Sequence, residues 1–182
     1  MAILNITKVP AEVLRIKAKA VKEIDNDVRI LLDNMIDTLR AAPGVGLAAP
    51  QVGIPSRIIV IEYGEEDEEQ EEINKKLFTL VNPEIIKASK ETVMGVEGCL
   101  SIPNIIGEVE RHESITVKAL NKFGQPVKIK SEGWLARIFQ HEIDHLNGIL
   151  FTDRATTLSV VENDNTEEIE AQQHTSLNDI TN

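Results

Sequence analysis

Residues 131–148 read SEGWLARIFQHEIDHLNG, and most of the architecture follows from how this stretch folds. Leu135, Ile138, Phe139 and Leu146 recur at helical spacing, so a helix is expected from about Glu132 to Leu146 with one face buried. Ser131 is the expected cap at its start, and Asn147-Gly148 the expected stop. Two histidines four residues apart, His141 and His145, then stand one turn apart on the same face. Both imidazoles can reach one metal ion at roughly 2.0–2.1 Å. Glu142, beside the first histidine, can exchange a proton with a water activated by that ion without being a ligand itself. The plain alternative is two surface or capping histidines on an ordinary helix. The apolar flanks weigh against it, because polar groups on a buried helix need partners and a metal supplies one.

Working outward, strands are expected at Arg57–Glu62, Leu77–Val81, Ile85–Lys87, Ser114–Leu120 and Pro126–Lys130. Asn121–Gln125, which contains Gly124, reads as the turn joining the last two. Val28–Leu39 has the apolar spacing of an amphipathic helix, and Pro43-Gly44-Val45-Gly46 stops it. The expected class is α+β: short, mostly antiparallel strands packed around a buried metal-binding helix. No repeat or long linker divides the chain. One catalytic domain is therefore expected over 1–154, with an acidic, polar tail over 155–182 that is disordered or partly helical.

The chain has 182 residues, 42% of them apolar, which suffices for a real core. The net charge of −11 is unevenly placed. Residues 62–72 carry eight acids and residues 155–182 carry six, with no Lys or Arg in either segment. The body that remains is slightly basic. The acidity is thus a property of a loop and a tail, and it argues against direct nucleic-acid binding by them. No apolar run reaches membrane-spanning length. The start, MAILNITKVP, lacks the pattern of a signal peptide. A single cysteine, Cys99, allows no internal disulfide. A reducing cytoplasmic setting fits that, and an organellar one is compatible.

Two histidines do not complete a site. In one large class of zinc peptidases a third histidine follows six residues after the second; Gly148 fits that pattern, but Phe151 holds the ligand position. Glu162 and Glu167 are carboxylates that could substitute in a peptidase reading. Upstream lies Glu97-Gly98-Cys99-Leu100-Ser101. Alone, Cys99 reads as a small buried hydrophobe. With the two imidazoles it makes three ligands and leaves a fourth position open, the mark of a catalytic site. Gly98 lets a substrate backbone come close. Gly44-Val45-Gly46-Leu47-Ala48-Ala49-Pro50-Gln51 is a third segment of small residues, equally readable as a tight turn. Its Gln51 amide can donate to a developing oxyanion. Asp144 reads equally as a surface carboxylate or as one that orients a ligand.

Taken in order, these three segments resemble the GxGxAAxQ, EGCLS and HExDH segments of the peptide deformylase family, over roughly residues 3–154. The resemblance implies a metal-dependent hydrolase that removes formyl from the N-terminal formyl-methionine of new proteins, releasing formate. It implies one Fe²⁺ per chain, with Zn²⁺, Ni²⁺ or Co²⁺ as possible substitutes, held by Cys99, His141 and His145. Glu142 would shuttle the proton. The Gln51 side chain and the Leu100 backbone N–H would stabilise the oxyanion. Val45, Gly46 and Gly98 would bind the peptide backbone of N-formylmethionyl substrates, and Trp134, Arg137 and Ile138 would shape the methionine pocket. Two departures stand out. Glu110 precedes Arg111 where the family often has Pro. The tail lacks the basic helix with which some bacterial relatives dock on the ribosome, so that mode of docking is not expected. The rival readings are a zinc endopeptidase, which would survive loss of Cys99, and a structural metal site closed by a fourth protein ligand.

Overall fold

The computed structural model describes residues 2–64 and 75–161. Two helices, α1 (Asn26–Arg40) and α2 (Gly133–Leu146), combine with eight strands. The strands are β1 (Gly46–Ala48), β2 (Ile58–Tyr63), β3 (Lys76–Ala88), β4 (Thr92–Cys99), β5 (Ile102–His112), β6 (Ser114–Leu120), β7 (Pro126–Glu132) and β8 (Thr157–Val160). They form a five-stranded sheet in the order β1-β2-β3-β6-β7 and a three-stranded sheet in the order β4-β5-β8. Every pairing between these strands is antiparallel. The expected α+β class is what forms.

β2 explains how the core is divided. Its alternate residues point to opposite faces of the sheet. Ile59 and Ile61 join Phe78, Leu80, Val117 and the α2 residues Phe139, Ile143 and Leu146. Ile58 and Val60 join Leu47, Val81 and the α1 residues Leu32, Met35 and Leu39. The larger sheet is thus covered by a helix on each side, which is why β2 reads as a continuous apolar run. A third cluster of Leu14, Ile102, Val109, Leu150 and Phe151 fastens the smaller sheet to the segment beyond α2.

Three local expectations are corrected. Ser131 does not cap α2: the cap position is Glu132, no side chain bonds there, and the Ser131 hydroxyl is buried without a partner. The chain passes from strand to helix with no loop, through Gly133 at φ +56°, a conformation glycine adopts at little cost. The two short strands expected at 77–81 and 85–87 are one strand, β3, carrying register shifts near Asn82-Pro83 and again at Ile85–Lys87. The body also runs past residue 154, because β8 pairs with β5 from Glu108↔Thr157 to Ile105↔Val160. The acidic run after Gly64 and the tail beyond 161 lie outside the described residues, as do Glu162 and Glu167.

Candidate active site

α2 is buried along most of its length, and its polar residues cluster where β4 and the segment around β1 meet it. Cys99 ends β4, at a register shift between Gly98 and Cys99 that breaks regular pairing with β5. Its Sγ lies 3.3 Å from His145 Nε2. One ligand atom each from Cys99, His141 and His145 falls within 4.8 Å of the others. Residues 42 positions apart in sequence thus converge on one point, as the three-ligand reading requires. A thiolate with two imidazoles suits Zn²⁺, Fe²⁺ or Co²⁺ equally well by donor type. Among the described residues no fourth His, Cys, Asp or Glu joins the group, which leaves a position for solvent or substrate and disfavours a closed structural site. Phe151, at the place where a downstream ligand histidine would stand, instead stacks on His141 with ring centroids 6.2 Å apart.

The imidazoles are held differently. His141 Nδ1 bonds Glu97 Oε2 at 2.9 Å, so its other nitrogen is the one available to an ion. His145 Nδ1 is buried without a partner. Burial opposes charge on His141, yet hydrogen bonds to Cys99 and Glu97 outweigh it and raise the imidazole well above its ordinary value. Burial and the neighbouring His141 push His145 well below its own.

Glu97 is the hub behind the ligands. Arg111 grips it with two bonds of 2.9 Å, Nε to Oε1 and Nη2 to Oε2, and Arg137 donates to Oε1 at 2.9 Å. Burial pushes the Glu97 carboxyl up, but the hydrogen bonds from Arg111 and His141 hold it well below the usual carboxylate range. Arg111 also reaches Asp144 Oδ2, and Arg154 clasps the same carboxylate with bonds of 2.6 and 2.7 Å. Asp144 is therefore a buried, paired carboxylate that ties α2 to β5. Sequence reasoning missed Glu97, Arg111 and Arg154 in this role; a carboxylate two residues before the cysteine was the available signal for Glu97.

Glu142 sits apart from this network. Its Oε2 is buried and unpartnered, and burial is the chief reason its carboxyl is pushed up to about 7. The backbone of Gly46 passes so close that a Cβ there would meet Glu142 Oε1 at 2.3 Å. Gln51 is oriented at both ends: its Oε1 accepts from Ala48 N–H at 2.8 Å, and its Nε2 donates to Ser101 Oγ at 3.2 Å and faces Cys99 Sγ at 3.5 Å. Leu100 lies in the turn between β4 and β5, its side chain against Gly44. Val45 and Gly98 are exposed at the rim of the same region. Ile138 is buried in the core, with Trp134 packed on that cluster's edge. Arg137, expected beside them at a methionine pocket, turns its guanidinium to Glu97 and to the carbonyls of Val109 and Val93.

A buried helix bearing two imidazoles and an unpaired carboxylate, with a thiol brought to them from a strand, defines a metal-dependent hydrolase. Residues 3–160 match the family model for polypeptide deformylase. The peptide deformylase of Symbiobacterium thermophilum is 54% identical over 172 residues, 94% of this chain and 76% of that protein. That of Halothermothrix orenii is 50% identical over 158 residues, 87% of this chain and 97% of its own length. The crystal structure of peptide deformylase from Thermotoga maritima superposes with a TM-score of 0.77 at 40% identity, covering 86% of this chain and all of that one. A class I type b peptide deformylase from Acinetobacter baumannii, with Met-Ala-Ser bound, gives 0.76 at 39% identity, covering 84% of this chain and 98% of that one. This chain belongs to the polypeptide deformylase family, and its activity is the hydrolytic removal of the formyl group from the N-terminus of newly made peptides.

Proposed function

We propose that Cys99, His141 and His145 hold one ferrous ion and that Glu142 moves the proton as the formyl amide of an N-terminal formyl-methionine is hydrolysed. The observation that carries this reading is the convergence of one sulfur and two ring nitrogens beside a buried carboxylate with no partner. Donor chemistry admits Zn²⁺, Ni²⁺ and Co²⁺ as well; the preference for Fe²⁺ rests on the family likeness. When bound, the ion supplies a Lewis acid that polarises the formyl carbonyl and lowers the pKa of water.

The protein's own groups do the rest. Glu142 accepts a proton from the attacking water and delivers it to the amine nitrogen as the C–N bond breaks, so formate and a free N-terminus leave. Gln51 Nε2, fixed by the grip of Ala48 on the opposite end of the amide, and the Leu100 N–H donate to the oxygen on which charge gathers. Val45, Gly46 and Gly98 present backbone to the peptide, and Trp134 and Ile138 flank the methionine side chain. The natural substrates would be N-formylmethionyl peptides of nascent chains in the cytoplasm. No described helix is long and apolar enough to cross a membrane. Docking on the ribosome through a basic C-terminal helix is not part of this proposal, since residues 155–182 contain no Lys or Arg.

The test is formate release from formyl-Met-Ala-Ser under anaerobic conditions, with Fe²⁺, Ni²⁺ and Zn²⁺ compared side by side. Turnover with Fe²⁺ that disappears in Cys99→Ala supports the assignment. Full activity of Cys99→Ala would point to the peptidase reading, and metal retention with no formate release to a structural site.

A further inference from the structure

We propose that Arg137 is a positioning residue for the metal ligands, the cross-link that fixes the spacing between α2 and β4, rather than a wall of the methionine pocket. This rests on the assignment of Cys99, His141 and His145 as the ligands. Arg137 stands one helical turn before His141, on the same face of α2. On β4, Gly95, Glu97 and Cys99 occupy alternate positions, with Glu97 and Cys99 both turned towards the helix. The contact between Arg137 and Glu97 therefore runs one step behind the contact between the ligand histidines and Cys99. It is the nearest fixed point from which the strand's position, and hence that of the sulfur, is set.

The Arg137 side chain is 7% exposed, and its guanidinium donates to acceptors on β4 and β5. Nη1 donates to Glu97 Oε1 at 2.9 Å and to the Val109 carbonyl of β5 at 2.8 Å, and Nη2 donates to the Val93 carbonyl of β4 at 2.7 Å. The guanidinium thus lies against both strands of the β4–β5 pair. Gly95 makes room for it: a Cβ at Gly95 would stand 2.7 Å from Arg137 Cζ. Glu97 in turn holds His141 Nδ1. One side chain thus fixes both the strand that ends in the sulfur ligand and the carboxylate that orients an imidazole ligand. A planar fork can serve acceptors on two strands at once; an ammonium can replace only part of that.

The experiment uses the full chain loaded with Co²⁺ or Fe²⁺, with Arg137→Leu, Arg137→Lys and Gly95→Ala, each compared at a temperature well below its unfolding. Loss of the ion to a chelator is followed separately from kcat and KM on formyl-Met-Ala-Ser and on a formyl-Ala peptide. In Arg137→Leu the ion should be held about tenfold more weakly or worse. The cobalt absorption spectrum should change and kcat per bound ion fall, while KM and the preference for formyl-Met over formyl-Ala stay unchanged. Arg137→Lys should recover part of the loss, and Gly95→Ala should reproduce it by displacing the guanidinium; these two carry the test if Arg137→Leu does not fold. A raised KM with altered side-chain preference and normal metal retention would assign Arg137 to the pocket and overturn the proposal. Lowered thermal stability alone, with spectrum, retention and kcat unchanged, would also overturn it. Absence of formate release from the unmodified protein would instead count against the ligand assignment itself.

Discussion

Gly46 and Glu142 are in a contact that only glycine permits: the carboxylate occupies the space a Cβ at position 46 would need, 2.3 Å from its Oε1. The edge strand β1 and the helix α2 therefore meet at Glu142, the group proposed to move the proton. Gly46→Ala must displace either the strand or the carboxylate. Misplacement by about 1 Å can cost on the order of 10²-fold in rate. Gly46→Ala is expected to lose activity on that scale while holding its metal as well as the unmodified protein, a split read by kcat and by metal content of the purified variant.

Removing the proposed proton carrier itself should be more severe. Glu142→Gln keeps the shape and abolishes the charge, and loss of general acid–base catalysis typically costs about 10²–10⁴-fold. Glu142 bonds none of the three ligand residues, so metal content should persist. Steady-state formate release alongside elemental analysis checks both halves. Equal loss of metal and activity would make Glu142 a ligand or a support of one.

Arg111 bridges two buried carboxylates, Glu97 and Asp144. Truncating one partner of a buried pair leaves the other charge unpaired and typically costs about 3–5 kcal/mol. Arg137 and His141 still hold Glu97 and Arg154 still holds Asp144 in Arg111→Ala, so the loss is expected below that range, seen as a modestly lower midpoint in denaturant. Arg154→Ala, whose side chain is 44% exposed, should cost far less.

The pH dependence of stability has an identifiable contributor away from the metal site. Asp153 accepts from Arg15 and from the Leu150 N–H, and chiefly the Arg15 bond holds its carboxyl below the ordinary value. A depressed folded-state pKa means stability that is present above the unfolded value, about 3.9, and is lost as pH falls through the folded one. The stability gap between the unmodified protein and Asp153→Asn should be largest at neutral pH and shrink below about pH 4. Exposure of the pair keeps the effect small. Denaturant titrations at pH 3 and pH 7 measure it; a gap that widens on acidification would contradict the assignment.

What the sequence conceals follows from the same charges. α1, α2 and the β6–β7 hairpin are legible because their apolar periodicity and the Asn121–Gln125 turn agree with their packing. β4 and β5 are not, because several of their inward positions are Gly95, Glu97 and Arg111, so the buried face does not read as apolar. β3 reads as two pieces because Asn82, at φ +53°, and Pro83 interrupt it. β8 is exposed at all four positions and is held by its ladder to β5, which leaves no burial pattern to detect. At the candidate site, the group Cys99, His141 and His145 is legible as residue types with a known spacing. Their supports are not, since Arg111, Arg137 and Arg154 look like surface charges until the fold brings Glu97 and Asp144 to them.

X-ray absorption at the edge of the bound metal tests the assembled site most directly, since it counts scatterers around the ion. One sulfur at about 2.3 Å and two imidazole nitrogens at about 2.0–2.1 Å are expected, with one further light atom from solvent. The sulfur shell should vanish in Cys99→Ser. A first shell with no sulfur in the unmodified protein, or one closed by four protein donors, would contradict the account.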